Sequence, residues 1–340
     1  MSLIKWKSHQ QNINEILVKC FTLGKKDISN FCKEIFDSVL DIMDLMPETR
    51  PSGFSVLTNV LSTIDTDRAG NPNSTLQTVF ERFLKEFNHS RAYQYLLDGL
   101  AKTAQSITSS SAQRTMATSL KCLDSIMLMI TKSRLVCTKK RSVDDDTEFK
   151  VMIIDLLTDF SNVMALSSPP EIVGVQTKLV RTILSLIENV SHVLTKNEII
   201  VFVNKLLKSI QSSNHGQLSV EKLLLIEELL KFSYISPQLV LKHIKIHLRA
   251  TNEQKLHAIR ILLTVLGLLQ TNPEDPTNPI HRKSLSIETL IETSSQGHQR
   301  MRSGDSIPPP VEKETAMMVQ QKGVLSRKKS MESTITLPVN

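Results

Sequence analysis

From Ile13 to Leu269 apolar side chains recur every three or four residues with hardly an interruption. That spacing is the period of one helical face, and no stretch alternates residue by residue as a half-buried strand does. Ile13, Ile16, Leu17, Cys20 and Phe21 form a first stripe, which Gly24 ends, and Asp27 caps the next. Ile28, Phe31, Cys32, Ile35, Phe36, Val39, Leu40 and Met43 form a second, and Phe54, Leu57, Val60, Leu61 and Ile64 a third. A polar loop, Asp65 to Ser74, precedes a fourth stripe with Val79, Phe80, Phe83, Leu84 and Phe87, and Ser90 opens a fifth. A long sixth helix is expected from about Ala112 to Val136. The charged stretch Lys139 to Asp146 follows, with its aspartates just before a helix start, where the N-terminal dipole favours them. Six further helices complete the series.

Several boundaries carry their own mechanism. Thr195 and Glu198 have the spacing of a capping box, and Thr251 with Gln254 repeats it. Ser236 before Pro237 places a cap ahead of proline at the first helical position. Ser168-Pro169-Pro170 and His215-Gly216 are breaks. Paired helices joined by short turns and lacking a strict period predict an all-α, armadillo- or HEAT-like helical-repeat solenoid. About a dozen antiparallel helices should form one curved stack, with Ile35, Phe36, Leu57, Leu123, Leu156, Ile183 and Leu224 buried. Only 4% of residues are aromatic, so Leu, Ile, Val and Met must fill that core. The repeat domain is expected over residues 1–270. Pro273, Pro276 and Pro279 end it, and residues 271–340, rich in Ser, Thr, Glu and Lys, read as a disordered tail.

The chain holds no glycine-rich phosphate loop, no nucleophile elbow, no zinc-protease motif and no calcium loop. A catalytic site and a cofactor are therefore not expected. His243 and His247 stand at i, i+4 but lack a third ligand, so no metal is expected there either. Cys20, Cys32, Cys122 and Cys137 are scattered and read as reduced, buried thiols. Trp6 reads as packing for the first helices. No apolar run approaches the ~20 residues of a membrane span, and a cytoplasmic protein is expected.

The net charge of +7 is concentrated between Lys196 and Gln270, where ten Lys and Arg face five Asp and Glu. Lys242, Lys245 and Arg249 form a candidate basic contact face for phosphates or an acidic protein surface. No aromatic residues interleave with them, so nucleic acid is not the expected partner. Ser284 and Ser330 each follow a basic pair and are candidate phosphorylation sites.

The ordered series of segments goes further than periodicity. Ser2 to Lys7, the helix Phe31 to Met43, and Phe83 to Tyr93 resemble successive pieces of the dedicator-of-cytokinesis (DOCK) family. Leu120 to Ile126, Lys132 to Leu135, and Phe149 to Ser168 continue the likeness, which fades towards Leu269. The resemblance implies the central armadillo-like region of a guanine-nucleotide exchange factor for Rac- or Cdc42-type GTPases, working in small-GTPase signalling and cytoskeletal control. It places that region between a lipid-binding region and an exchange region, neither of which the chain contains. The chain is thus expected to be a truncated isoform, a fragment or an incomplete gene model, with the tail from Thr271 departing from the family. Expected partners are other regions of the same factor and ELMO-type adaptors, with a Rac-type GTPase met only indirectly. Membrane recruitment would be peripheral, through the absent regions. The competing reading is an unrelated α-solenoid adaptor for complex assembly.

Overall fold

The computed structural model describes residues 3–71, 74–137, 143–210, 216–249 and 252–271. Among them are thirteen α-helices, a few short 3-10 turns and no strand. The expected tail, with Ser284 and Ser330, lies outside the described residues, as do Thr251 and His215.

Two three-helix repeats come first. α1 (Ile13–Cys20) leads into α2 (Lys25–Leu45), α3 (Arg50–Gly70) and α4 (Thr75–Lys85), then α5 (Ala92–Gln105), α6 (Ser110–Lys121) and α7 (Leu123–Cys137). Two-helix repeats follow: α8 (Val143–Ala165) with α9 (Ile172–Val190), α10 (Lys196–Ser209) with α11 (Gly216–Lys231), and α12 (Pro237–Ile244) with α13 (Asn252–Thr271). The helices pack in two rows. One runs α3, α6, α9, α11, α13, each helix against the next, and the other runs α2, α5, α8, α10. The third helices, α4 and α7, pack beside these rows, α4 on α2 and α3, α7 on α5, α3 and α9.

One apolar core runs from Leu3 to Val265. Its largest members include Phe36, Phe80 and Phe83, whose rings lie 4.8–6.2 Å apart between α2 and α4. Ile35, Phe36, Leu57, Leu123, Leu156 and Ile183 are all buried as expected, and so are Leu3 and Trp6.

Elsewhere the structure corrects the periodic reading. The long sixth helix is two helices, because Cys122 leaves helical geometry at φ −112°, ψ 25°. The break lets α6 serve the row of α3 and α9 while α7 lies against α5. The loop expected from Asp65 is still helix as far as Gly70: Asp65 accepts from Ser125 Oγ at 3.0 Å, and Asp67 pairs with Lys25 at 2.6 Å. Polar side chains thus hold the last turns of α3 against its neighbours. The fifth helix begins at Ala92 rather than Ser90, and Asp145 and Asp146 lie inside the first turns of α8.

Leu224 is exposed, whereas Leu223, Leu225 and Ile226 are buried. The run Leu223 to Ile226 is apolar at every position, so periodicity cannot tell which side chain faces out. Phe21 stands past the end of α1, and Phe31 sits at a kink in α2 (φ −131°, ψ 27°). Both rings are exposed. Cys20, Cys32 and Cys122 are buried free thiols, but Cys137 is only half-buried. Burial pushes Cys20 up to about 11 and Cys32 up to about 12, which keeps both as thiols.

Candidate functional site

The expected basic face sits near the last of the described helices. Lys242 is near the end of α12, Lys245 follows directly, and Arg249 lies in the 3-10 turn His247–Arg249. All three are exposed, but the helix ends between them, so they follow a turn rather than one helical stripe. His243 and His247 are separated in the same way. His247 is buried, with Nδ1 3.3 Å from Gln254 Oε1, while His243 is half-buried. Burial pulls His243 down to about 4, helped by the nearby Lys222, Lys208 and His247. Among the described residues no three His, Cys, Asp or Glu side chains converge to hold a metal.

Lys222, inside α11, is buried and donates from Nζ to the Ile210 carbonyl at 3.1 Å. Desolvation lowers its amine to about 8. Periodicity did not single it out, because a lysine in a Lys-Leu-Leu-Leu-Ile run reads as the solvated edge of a helix.

Arg134 is the other residue that periodicity passed over. It is 4% exposed, near the end of α7, with its guanidinium 4.7 Å from the Tyr93 ring centre and 4.6 Å from that of Phe149. Nη2 donates to Asp146 Oδ1 at 2.5 Å, whereas Nε and Nη1 have no hydrogen-bond acceptor among the described residues. Beside it a groove of about 500 Å³ opens between α7, the start of α8 and the end of α9. Its walls include Ile130, Phe149 and Val190, with Arg134, Lys150 and His192 supplying polar groups. Asp146 also lines it, and its bases are already engaged, Arg134 by Asp146 and Lys150 by Glu198 at 2.9 Å.

A second groove, about 470 Å³, lies between α3, α5 and α6, but its charged groups already have partners. Arg50 stacks on Tyr95 at 4.5 Å and donates from Nε to the Met43 carbonyl at 3.0 Å, and Asp98 pairs with Lys102 at 2.8 Å. His89, 2.8 Å from Asp37 Oδ1, tethers the linker between α4 and α5 to α2.

Comparison with known proteins matches this stack as a whole. A family model described as the Dedicator of cytokinesis (DOCK) TPR region matches residues 9–313. Dedicator of cytokinesis protein 3 from Mus musculus, and likewise that from Homo sapiens, is 23% identical over 309 residues. The aligned stretch is 87% of this chain but 15% of each relative, so the chain spans about 15% of the length of the curated relatives it matches. The family match runs past Thr271 to residue 313, so the likeness does not stop where the sequence pattern placed the departure.

Proposed function

This chain belongs to the dedicator-of-cytokinesis family, matched through that family's helical region, and from this premise we propose that it is a scaffold segment of an exchange factor for Rac- or Cdc42-type GTPases. The observation that carries the reading is the family match over residues 9–313, which takes in every described helix from α1 onward. It removes the unrelated solenoid from consideration. Physically, a core continuous from Leu3 to Val265 makes a spacer that holds whatever is attached to it at a set distance. Its partners, in this reading, are other regions of the same factor and ELMO-type adaptors, in the cytoplasm, and the GTPase is met only indirectly. No helix among the described residues is long and apolar enough to cross a membrane.

Two assays test the proposal together. Purified chain should leave nucleotide release from Rac and Cdc42 at the intrinsic rate, and immobilised chain should retain an ELMO-type adaptor. Stimulated release, or an adaptor that is not retained, overturns the scaffold role.

A further inference from the structure

Three bases meet where α11, α12 and α13 come together, with no acid among them in the described residues. Lys222 of α11 is 3% exposed and donates to the Ile210 carbonyl, just past the end of α10. His247, in the turn after α12, is also 3% exposed. Gln254 of α13 donates from Nε2 to the Gly216 carbonyl at 3.5 Å, so its Oε1 is the acceptor facing His247 Nδ1 at 3.3 Å. That assigns the imidazole proton to Nδ1 and leaves Nε2 as a bare lone pair. This Nε2 is buried without a hydrogen-bond partner among the described residues, and so is that of His243, in the last turn of α12.

The surrounding elements add positive charge rather than a counter-ion. α10 brings Lys208 near His243, and Lys222 lies near both imidazoles. On α13, His257 Nδ1 is also buried with no partner among the described residues, and Glu253 is exposed. The acids of α11 are engaged: Glu221 is bonded to Arg181, and Glu227 and Glu228 gather at Lys231. Gln211 to His215 and Ala250-Thr251, which join these elements, contain no Asp or Glu. Glu274 and Asp275 come only after α13 has run about 25 Å beyond Gln254.

A proton added to either imidazole has no acceptor to meet and is repelled by Lys222, whose amine, at about 8, is charged across the acid range. Opening of α12 and α13 returns these groups to water, so the opened end takes up protons first. With His243 held at about 4 against 6.5, the stability of the closed end is complete above 6.5 and is lost as pH falls towards 4. Because α12 and α13 pack on α11 and on each other, they can leave without parting the helices behind them.

We propose that His243, His247 and Lys222 form an acid-sensitive latch: protonation of the two imidazoles releases α12, its following turn and α13 from α11 while the earlier helices stay packed. The latch holds or fails independently of the scaffold reading.

Hydrogen exchange of the full chain, followed by mass spectrometry and corrected for the intrinsic rate at each pH, tests it. Between pH 7.5 and pH 5, peptides from α12 and α13 should lose at least about tenfold in protection, while those from α3 and α6 keep theirs. His243→Gln with His247→Gln should hold α13 at pH 5 within about threefold of its protection at pH 7.5. Lys222→Gln keeps a donor for the Ile210 carbonyl and removes the like charge, so the loss should move to lower pH by about half a unit or more. That variant decides the matter if the two glutamines disturb folding. Full protection of α13 at pH 5, equal loss in α3 and α6, the same loss in the doubly substituted chain, or an unmoved loss in the Lys222→Gln chain each overturns the latch.

Discussion

Gly99, Gly53 and Gly174 each lie inside a helix, and substituting alanine should give three different results. A Cβ at Gly99 would stand 2.5 Å from the ring of Phe54, which is itself buried where α3 meets α5. Gly99→Ala should therefore destabilise by about 1–3 kcal/mol, the usual cost of overpacking. At Gly53 the obstacle is the side chain of Met43, 2.6 Å away and flexible, so the loss should be smaller. Gly174 has nothing within 4 Å, and alanine there should stabilise by about 0.5–1 kcal/mol. Urea midpoints of the three variants test that order. Protonation supplies a second prediction. Because burial holds His243 at about 4 against an ordinary 6.5, the unfolded chain binds its proton first. The contribution is complete above 6.5 and is lost as pH falls towards 4, so the urea midpoint should decline across that window. His243→Gln should flatten the decline, and a curve unchanged by that substitution would rule the residue out. These side chains also mark how far periodicity could be read. It located Phe54 and Ile183 because burial is their only role. It missed Arg134 and Lys222, whose charge argues for the surface until aromatic rings or a carbonyl are seen to receive it.

At the scale of single helices, the ends that chemistry specifies were legible. Glu198 Oε2 accepts from the Thr195 N–H at 2.9 Å, the Thr195 hydroxyl accepts from the Glu198 N–H at 3.4 Å, and Ser236 caps α12 through the Leu239 N–H at 3.3 Å. Thr195→Ala should cost about 1 kcal/mol, as N-cap losses do. Glu198 also pairs with Lys150 at 2.9 Å, joining α10 to α8, and that lysine with the cap hydrogen bonds lowers its carboxyl to about 2. Its contribution is present above the ordinary value of 4.5 and is lost as pH falls towards 2. Acidification should thus remove the His243 contribution first and the Glu198 one after it. Ends set by tertiary packing were not legible. Nothing local at Cys122 announces a break: it is buried, and its Sγ lies 3.6 Å from the Thr58 carbonyl of α3. Leu123, the first residue of α7, is 2% exposed, so Leu123→Ala should cost about 2–5 kcal/mol. A loss well under 1 kcal/mol would show that the start of α7 is not a packed position.

Across the whole stack, each helix of a repeat protein is held mainly by the helices before and after it in its row. The alternation of helices and turns was readable because apolar period and capping residues are local signals. The change from three helices per repeat to two was not, because it depends on which faces meet: α7 is covered by α5 and α9, partners separated from it in sequence by whole elements. The same neighbour logic gives the last prediction. α6 and α9 have a helix of their row on both sides, whereas among the described residues α13 has one only on the side of α11. Opening of α13 and the short α12 therefore exposes less core than opening of α6 or α9, and should require less free energy. Native-state hydrogen exchange should be slowest in α6 and α9 and fastest, among the helices of this row, in α13. Equal protection of α6 and α13 would mean that the row opens as one unit, and that a missing neighbour does not weaken its end.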